Sequence, residues 1–221
     1  MKTKHFVNLH KGTTFFFVLA LMFGYNNFSL APWIYLSLHG TYGFLWLLKD
    51  RIYPDKQWEQ EVSIPLGVTG FLILCLYWVA PFILISSGST PPLYLVWLAV
   101  SLNIIGVFLH FASDSQKYYT LKYRSGLIDE GFFARCRNTN YLGEFLIYLS
   151  FAILTQHWLP LLILAGFLLG IFVPNMLKKD NSLAKYPGFV DYQANSGLFF
   201  PKLFGVSTRE SSPEDRVTIN S

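Results

Sequence analysis

Residues 135–154 read RCRNTNYLGEFLIYLSFAIL and join a charged, polar loop directly to an apolar segment. Arg135 and Arg137 carry planar positive groups whose several N–H donors suit phosphate or carboxylate. The short polar side chains of residues 138–140 favour the N-terminus of a helix. Glu144 then lies about one turn inside the apolar segment, where a carboxylate must be paired or protonated. This pattern indicates a functional site at the mouth of a membrane helix; the alternative is a glutamate that only pairs with a neighbouring arginine.

Composition places the chain among polytopic membrane proteins. Hydrophobic residues make up 52% of the 221 residues and charged residues only 14%, and the 21 Phe and 13 Tyr are too many for a soluble surface. Basic cytoplasmic loops explain the net charge of +4, so we expect no nucleic-acid partner. Two cysteines make no disulfide framework, and no spacing of Cys and His resembles a metal site.

Six apolar segments predict an all-α integral membrane fold with about six transmembrane helices, or seven at most. The first segment has features of a cleaved signal peptide, but a second apolar segment follows at once, as in a helical hairpin. We expect residues 1–205 to form one membrane domain and residues 206–221 to form a disordered polar tail. The predicted spans are residues 13–31, 33–48, 64–86, 93–111, 141–154 and about 160–174.

The basic residues fall on one side of this arrangement. All 17 Lys and Arg lie in the N-terminus, in residues 49–61 or 113–140, or in the C-terminal segment. The positive-inside rule therefore predicts cytoplasmic termini, in a bacterial inner membrane or in the endoplasmic reticulum of a eukaryote. No internal repeat is evident, which argues against a transporter built from inverted halves.

The predicted cytoplasmic loops carry enough polar side chains to form a pocket for a large anionic cofactor. The alternative is that these groups pair with one another in a solvated loop. We expect the cofactor's phosphates to contact Lys117, Arg124, Arg135 and Arg137, and its base or ribose to contact Asp114, Asn140 and Glu144.

Short motifs in the second half of the chain resemble those of a known family. They are SDSQK (113–117), GLI (126–128), GFF (131–133), RNTNYLGE (137–144) and SLAKYP (182–187), followed by Phe200–Pro201. Together they resemble the C-terminal domain of the steroid 5-alpha-reductase family, in particular its small bacterial-type members, over about residues 105–205.

The resemblance implies that NADPH binds between the helices and the cytoplasmic loops. It also implies hydride transfer to the activated C=C bond of a lipophilic enone, such as a steroid or an isoprenoid. Lys178 and Lys179 stand about where eukaryotic members carry an aromatic pair, and Lys179 could hold a phosphate by charge. By the same resemblance the cofactor contacts are Asp114, Arg137, Asn140, Tyr141 and Glu144.

A candidate catalytic group lies earlier in the chain. Residues 60–63 read QEVS and resemble the segment with which these reductases address the substrate carbonyl. Gln60 and Glu61 would then act with a tyrosine to stabilise the enolate oxygen. Tyr94 fits best by spacing, and Tyr77 is the alternative one span earlier.

Two other functions remain open from the sequence. The same C-terminal pattern resembles isoprenylcysteine carboxyl methyltransferases. Those enzymes end in an acidic motif, and residues 180–183 partly match it. Those enzymes bind S-adenosylmethionine, which has no phosphate, so the number of converging basic residues distinguishes the two cofactors. A non-catalytic membrane scaffold would bind neither. The expected partners are the lipid bilayer and, for an enzyme, a lipophilic small molecule.

Overall fold

Apolar segments long enough to cross a bilayer determine the architecture, because within lipid a helix satisfies its own backbone hydrogen bonds. The computed structural model describes residues 1–203, and all regular elements in that range are helices. The polar tail predicted for residues 206–221 lies outside the described residues. The helices are α1 (Thr3–Gly24), α2 (30–52), α3 (Ile64–Ser86), α4 (Leu93–Tyr123), α5 (Thr139–Leu154), α6 (Trp158–Leu183) and α7 (Phe189–Asn195), with 3₁₀ turns at Lys56–Glu59 and Gly131–Phe133.

Four helices, α1, α3, α4 and α6, are long and apolar enough to span a membrane, and α5 is a shorter apolar helix. The chain is therefore a multi-pass, all-α membrane protein, and this part of the sequence-based interpretation is confirmed. That α2 and α5 cross as well, which would give six spans, stays a prediction. The cytoplasmic location of the termini stays a prediction too.

The first helix lies closer to the N-terminus than the apolar run indicated. It covers Thr3–Gly24, whereas the predicted span was 13–31. Lys11, which was counted among the charges of the N-terminus, therefore lies inside α1, and its side chain is buried. The chain turns at Asn26, whose backbone adopts a left-handed φ of 47°. Asparagine tolerates this conformation better than most residues, so the helix ends before the predicted boundary.

Helices α4 and α6 continue beyond the predicted ends at residues 111 and 174, to Tyr123 and Leu183. The additional turns are polar, but their charges are paired with other elements. Lys117 lies 2.7 Å from Asp55, and Asp180 lies 2.9 Å from Arg137. Pairing offsets the cost of burying these charges, so both helices extend past the apolar zone and form the walls of a site.

Two glycines allow α4 and α5 to pack closely against each other. A Cβ atom added to Gly106 would lie 2.7 Å from the carbonyl oxygen of Gly143. Beside this crossing, Asn103 Nδ2 donates to Ser150 Oγ at 3.1 Å. Small residues and interhelical hydrogen bonds are the usual means of close packing between membrane helices. The crossing fixes the start of α5 against the second half of α4.

Three of the long helices are interrupted by a turn that is not α-helical. These turns are Leu36–Gly40 in α2 and Leu168–Phe172 in α6, both π-helical, and Cys75–Trp78 in α3, which is 3₁₀. Such interruptions redirect side chains and often occur at functional sites.

Candidate cofactor site

A cavity of about 580 Å³ lies where the end of α4, the start of α5 and the end of α6 meet residues 55–60. Its volume is typical of sites for small molecules and cofactors. Five basic side chains and one acidic side chain line it, so positive charge predominates. The basic residues are Lys117, Arg137, Lys178, Lys179 and Lys185, the acidic one is Asp55, and neutral lining residues include Gln57, Gln60, Asn140, Tyr141, Asn175 and Tyr186.

The structure brings half of the sequence-predicted site residues to this cavity. Helix α4 contributes one of them, α5 and the residues before it contribute three, and α6 and the loop before α3 contribute one each. The six are Gln60, Lys117, Arg137, Asn140, Tyr141 and Lys179. The other six, described below, do not line it.

Arg137 lies on the cavity wall but is also bound to neighbouring elements. Its Nε donates to Asp180 Oδ2 at 2.9 Å, and its Nη1 donates to the carbonyl oxygen of Ser196 at 2.5 Å. The backbone amide of Arg137 donates to the carbonyl oxygen of Gly197 at 2.9 Å. The residue therefore holds α6 and the C-terminal segment against the loop before α5.

The first turn of α5 presents an unsatisfied acceptor. Asn140 lines the cavity, and its Oδ1 is buried without a hydrogen-bond partner in the described chain. The backbone around it is fixed, because Thr139 Oγ1 donates to the carbonyl oxygen of Phe132 at 2.6 Å and Asn138 Nδ2 donates to that of Leu198 at 2.9 Å. Buried polar atoms without a partner are uncommon in native proteins, and a bound ligand is one way to satisfy them.

An ion pair closes the cavity on the side of residues 55–60. Lys117 Nζ donates to Asp55 Oδ2 at 2.7 Å, and the amide of Gln57 donates to Asp55 Oδ1 at 3.0 Å. Burial acts to raise the pKa of Asp55, but the attraction and hydrogen bond of Lys117 outweigh it, so the pKa lies below its usual value. Asp55 is therefore ionised at neutral pH and offsets the charge of Lys117.

The lysines of α6 and the residues after it provide the remaining positive charge. Lys179 Nζ donates to the carbonyl oxygen of Arg137 at 2.6 Å and lies 5.1 Å from the ring centroid of Phe133. Lys178 and Lys185 also line the cavity, and both side chains are exposed to solvent. Their ammonium groups can therefore contact an anion at the mouth without disturbing the packed interior.

Asp114 does not line the cavity, and in the structure it pairs with residues of other positions in the bundle. Its Oδ2 lies 2.9 Å from Lys49 Nζ and 4.0 Å from His110 Nε2, and all three side chains are buried. The ion pair joins α2 to α4. The position of Asp114 in the SDSQK motif did not reveal this, because Lys49 is distant in the sequence.

Two residues that were predicted to contact the cofactor's phosphates lie on the surface outside the cavity. Arg124 is exposed and forms an ion pair with Glu130. Arg135 is also exposed, and its carbonyl oxygen accepts the amides of Gly197 and Lys202 at 3.0 and 2.9 Å. A direct role for either side chain in holding a ligand within the cavity is not supported by this geometry.

The proposed catalytic residues are separated in space. Gln60 lines the cavity, whereas Glu61 is exposed and forms a short backbone bridge with Lys2, so it lacks the partly desolvated environment expected of it. Tyr94 is 68% exposed at the start of α4. The 23 residues of α3 lie between the two, which corresponds to about 34 Å of helix. Glu61 and Tyr94 therefore cannot act on the same atom; the alternative, Tyr77, is buried in α3.

Glu144 is half-buried one turn below Asn140 and does not line the cavity. Its charge acts on Lys11, which lies deeper in the bundle. Sequence reasoning correctly placed Glu144 inside the apolar zone, but it expected an arginine or the cofactor as the partner. The buried lysine of α1 was overlooked, because it precedes the apolar run.

Sequence reasoning also missed Asp55 and Lys185. Lys185 lies within the quoted SLAKYP motif, so its charge was visible but was not assigned to the site. The residues around Asp55 form no motif that indicates a site. Asp55 lies at the cavity because it pairs with Lys117, which is distant in the sequence.

Comparison with known proteins assigns the chain to a family whose activity is not known. No curated protein shows a significant match. The profile of the family DUF1295, described as a protein of unknown function, matches residues 52–195, which include all of the residues that line the cavity. Because that match covers more than half of the chain, the protein belongs to the DUF1295 family.

Proposed function

We propose that this protein is an NADPH-dependent reductase that transfers a hydride to the activated C=C bond of a lipophilic enone. The proposal combines the resemblance of the C-terminal motifs to steroid 5-alpha-reductases with one structural observation. That observation is the cavity of about 580 Å³ with five basic side chains and one acidic side chain in its lining. Such a lining suits a ligand that carries several phosphate charges.

The residues present are compatible with NADPH. Lys178, Lys179 and Lys185 would hold the pyrophosphate and the 2′-phosphate by charge-assisted hydrogen bonds. The unpartnered Oδ1 of Asn140 would accept a hydrogen bond from a ribose hydroxyl or from the carboxamide of the nicotinamide. When bound, the dinucleotide supplies the hydride, and the protein's part is to orient it and to exclude water.

The methyltransferase alternative is less well supported. S-adenosylmethionine carries a positive sulfonium and no phosphate, so a cavity lined by five basic residues would repel part of it. A scaffold without a ligand gives no reason for five basic side chains to converge on one cavity.

Nucleotide binding by the purified protein in detergent tests this proposal. We expect NADPH to bind more tightly than NADH, and S-adenosylmethionine to bind weakly or not at all. Lys185→Ala removes one charge from the mouth of the cavity and should weaken the binding of NADPH about tenfold to a hundredfold. Lys122→Ala is the matched control, because that lysine lies near the end of α4 and does not line the cavity. Binding of S-adenosylmethionine without NADPH would favour the methyltransferase instead.

A further inference from the structure

The segment that follows α7 carries exposed apolar side chains outside the long helices. Residues 199–203 read FFPKL and form no helix. Phe200 is 65% exposed and Leu203 is 78% exposed. Single apolar residues on a surface are common, but several close together usually mark contact with a protein or a membrane. We call Phe199, Phe200 and Leu203 the C-terminal apolar patch.

Hydrogen bonds to the loop before α5 fix the backbone of this segment. The amides of Gly197 and Lys202 both donate to the carbonyl oxygen of Arg135, at 3.0 and 2.9 Å. A Cβ atom added to Gly197 would collide with the carbonyl oxygen of Phe200, so the chain makes a tight turn that requires glycine. The fold therefore holds Phe200 and Leu203 on the surface.

The carbonyl groups of the segment are satisfied as a lipid environment requires. The carbonyl oxygens of residues 197–199 all accept hydrogen bonds. Their donors are the Arg137 amide at 2.9 Å, Asn138 Nδ2 at 2.9 Å and Cys136 Sγ at 3.1 Å. Pro201 has no amide hydrogen that needs an acceptor. Non-helical backbone is tolerated at membrane depth only where protein supplies its hydrogen-bond partners, and these groups meet that condition.

Ring contacts place aromatic side chains of the loops against the apolar helices. The ring centroid of Phe199 lies 5.5 Å from that of Phe145 and 4.8 Å from that of Phe200. Phe145 lies six residues inside α5, which corresponds to about 9 Å from the start of that helix. In the loop before α5, Phe132 lies 5.6 Å from Phe108, which is 61% exposed on α4. Both loops thus reach the level of the apolar helix surfaces.

Two basic side chains lie next to the patch. Arg135 and Lys202 are both exposed, and a backbone hydrogen bond joins them. Aromatic residues beside Lys and Arg are typical of the boundary between the hydrocarbon and the lipid headgroups. There the rings enter the apolar layer, while the long basic side chains extend to the phosphates. Because Phe199 packs on α5 and Phe132 packs on the outward face of α4, lipid is the partner that fits the patch.

We propose that the C-terminal apolar patch inserts into the lipid leaflet on the side of the cofactor cavity. Phe200 and Leu203 enter the apolar layer, and Arg135 and Lys202 lie at the level of the headgroups. The segment is then an interfacial anchor in addition to the transmembrane helices. Its hydrogen bond to the amide of Arg137 connects this anchor to the cavity wall and holds the cavity at the membrane surface. The inference holds whichever ligand the cavity binds.

Spin-label accessibility in lipid nanodiscs tests this placement. In a Cys75→Ser/Cys136→Ser background, Phe200→Cys and Leu203→Cys each carry one nitroxide; the serine at position 136 keeps a hydrogen-bond donor there. Oxygen concentrates in the hydrocarbon, whereas a neutral nickel chelate stays in water, so the ratio of their effects on power saturation reports the depth of the label. We expect oxygen to act more strongly than the chelate on both labels. Both positions are exposed, so labelling leaves the interior unchanged.

Two further positions in the same background calibrate the measurement. Ile104→Cys lies on the outward face of α4, where the side chain is 63% exposed, and should give the lipid pattern. Ser125→Cys is exposed in a polar loop and should give the opposite, aqueous pattern. If the labels at positions 200 and 203 follow Ser125→Cys, the patch faces water and the inference is overturned. Shielding from both reagents would overturn it as well, because a second copy or another protein would then cover the patch.

Discussion

Arg137 joins the loop before α5 to α6 and to the C-terminal segment through a buried ion pair and carbonyl contacts. Arg137→Ala should therefore act mainly on stability. It leaves Asp180 buried without its partner, and breaking a buried pair in this way costs about 3–5 kcal/mol. Thermal unfolding in detergent measures the loss. The double variant Arg137→Ala/Asp180→Asn should recover part of it; equal stability of the wild type and Arg137→Ala would contradict this role.

Glu59 attaches the N-terminus to the loop before α3. Lys2, at 2.7 Å, and Lys4 both donate to its carboxylate, and these hydrogen bonds lower its pKa from 4.5 to about 2. A lowered pKa means that the attachment is complete above about pH 4.5 and is lost as the pH falls toward 2. The titration of the Glu59 carboxyl carbon, followed by NMR, should have its midpoint near 2. In the double variant Lys2→Ala/Lys4→Ala the midpoint should return toward 4.5, and no change would exclude these lysines as its cause.

At the scale of elements, the crossing of α4 and α5 sets the position of Asn140 relative to Lys117. Gly106→Ala would place a Cβ 2.7 Å from the carbonyl oxygen of Gly143, so the helices must separate. Overpacking of this kind costs about 1–3 kcal/mol. Gly166→Ala on α6 is the control, because an added Cβ there meets no atom within 4 Å. Equal melting temperatures of the two variants would show that the close approach contributes little.

The positions of apolar helices could be predicted from the sequence better than their ends. The predicted bounds of α3 agree with Ile64–Ser86, since Ser63 accepts a hydrogen bond from Leu66 as an N-cap and a polar turn follows. The ends of α4 and α6 were predicted too early, because their polar turns are stabilised by Asp55 and Arg137 from other elements. Ion pairs between residues that are distant in the chain cannot be recognised from the hydrophobic periodicity of a single sequence.

The same limit applies to the site. Asn140, Tyr141 and Lys117 line the cavity, and the sequence singled them out because their motifs lie where polar loops meet apolar helices. Asp114 does not line the cavity, and its ion pair with Lys49 could not be predicted because Lys49 comes from another helix. Lys11 was taken as a topological charge, and only the packing of α1 against α2 and α5 reveals its burial.

At the scale of the whole molecule, the arrangement of turns predicts the topology. Gln156 Nε2 donates to Ser89 Oγ at 2.9 Å, so the turn after α3 and the turn after α5 lie on the same side. The positive-inside rule predicts that this side faces away from the cytoplasm. In a Cys75→Ser/Cys136→Ser background, Ser89→Cys should react with an impermeant maleimide added from outside, and Ser125→Cys should react only after the membrane is opened. The reverse pattern would contradict the assigned orientation.

Transfer of deuterium from NADPH labelled at C4 of the nicotinamide tests the central claim most directly. The purified protein is incubated with a 3-oxo-4-ene steroid and, separately, with a polyprenyl enone, and the products are analysed by mass spectrometry. The account predicts a saturated ketone that carries one deuterium on the carbon β to the carbonyl. It also predicts no product without NADPH and no methylation by S-adenosylmethionine. The account would be contradicted if NADPH reduced neither enone and the protein instead transferred a methyl group from S-adenosylmethionine to a prenylcysteine carboxylate.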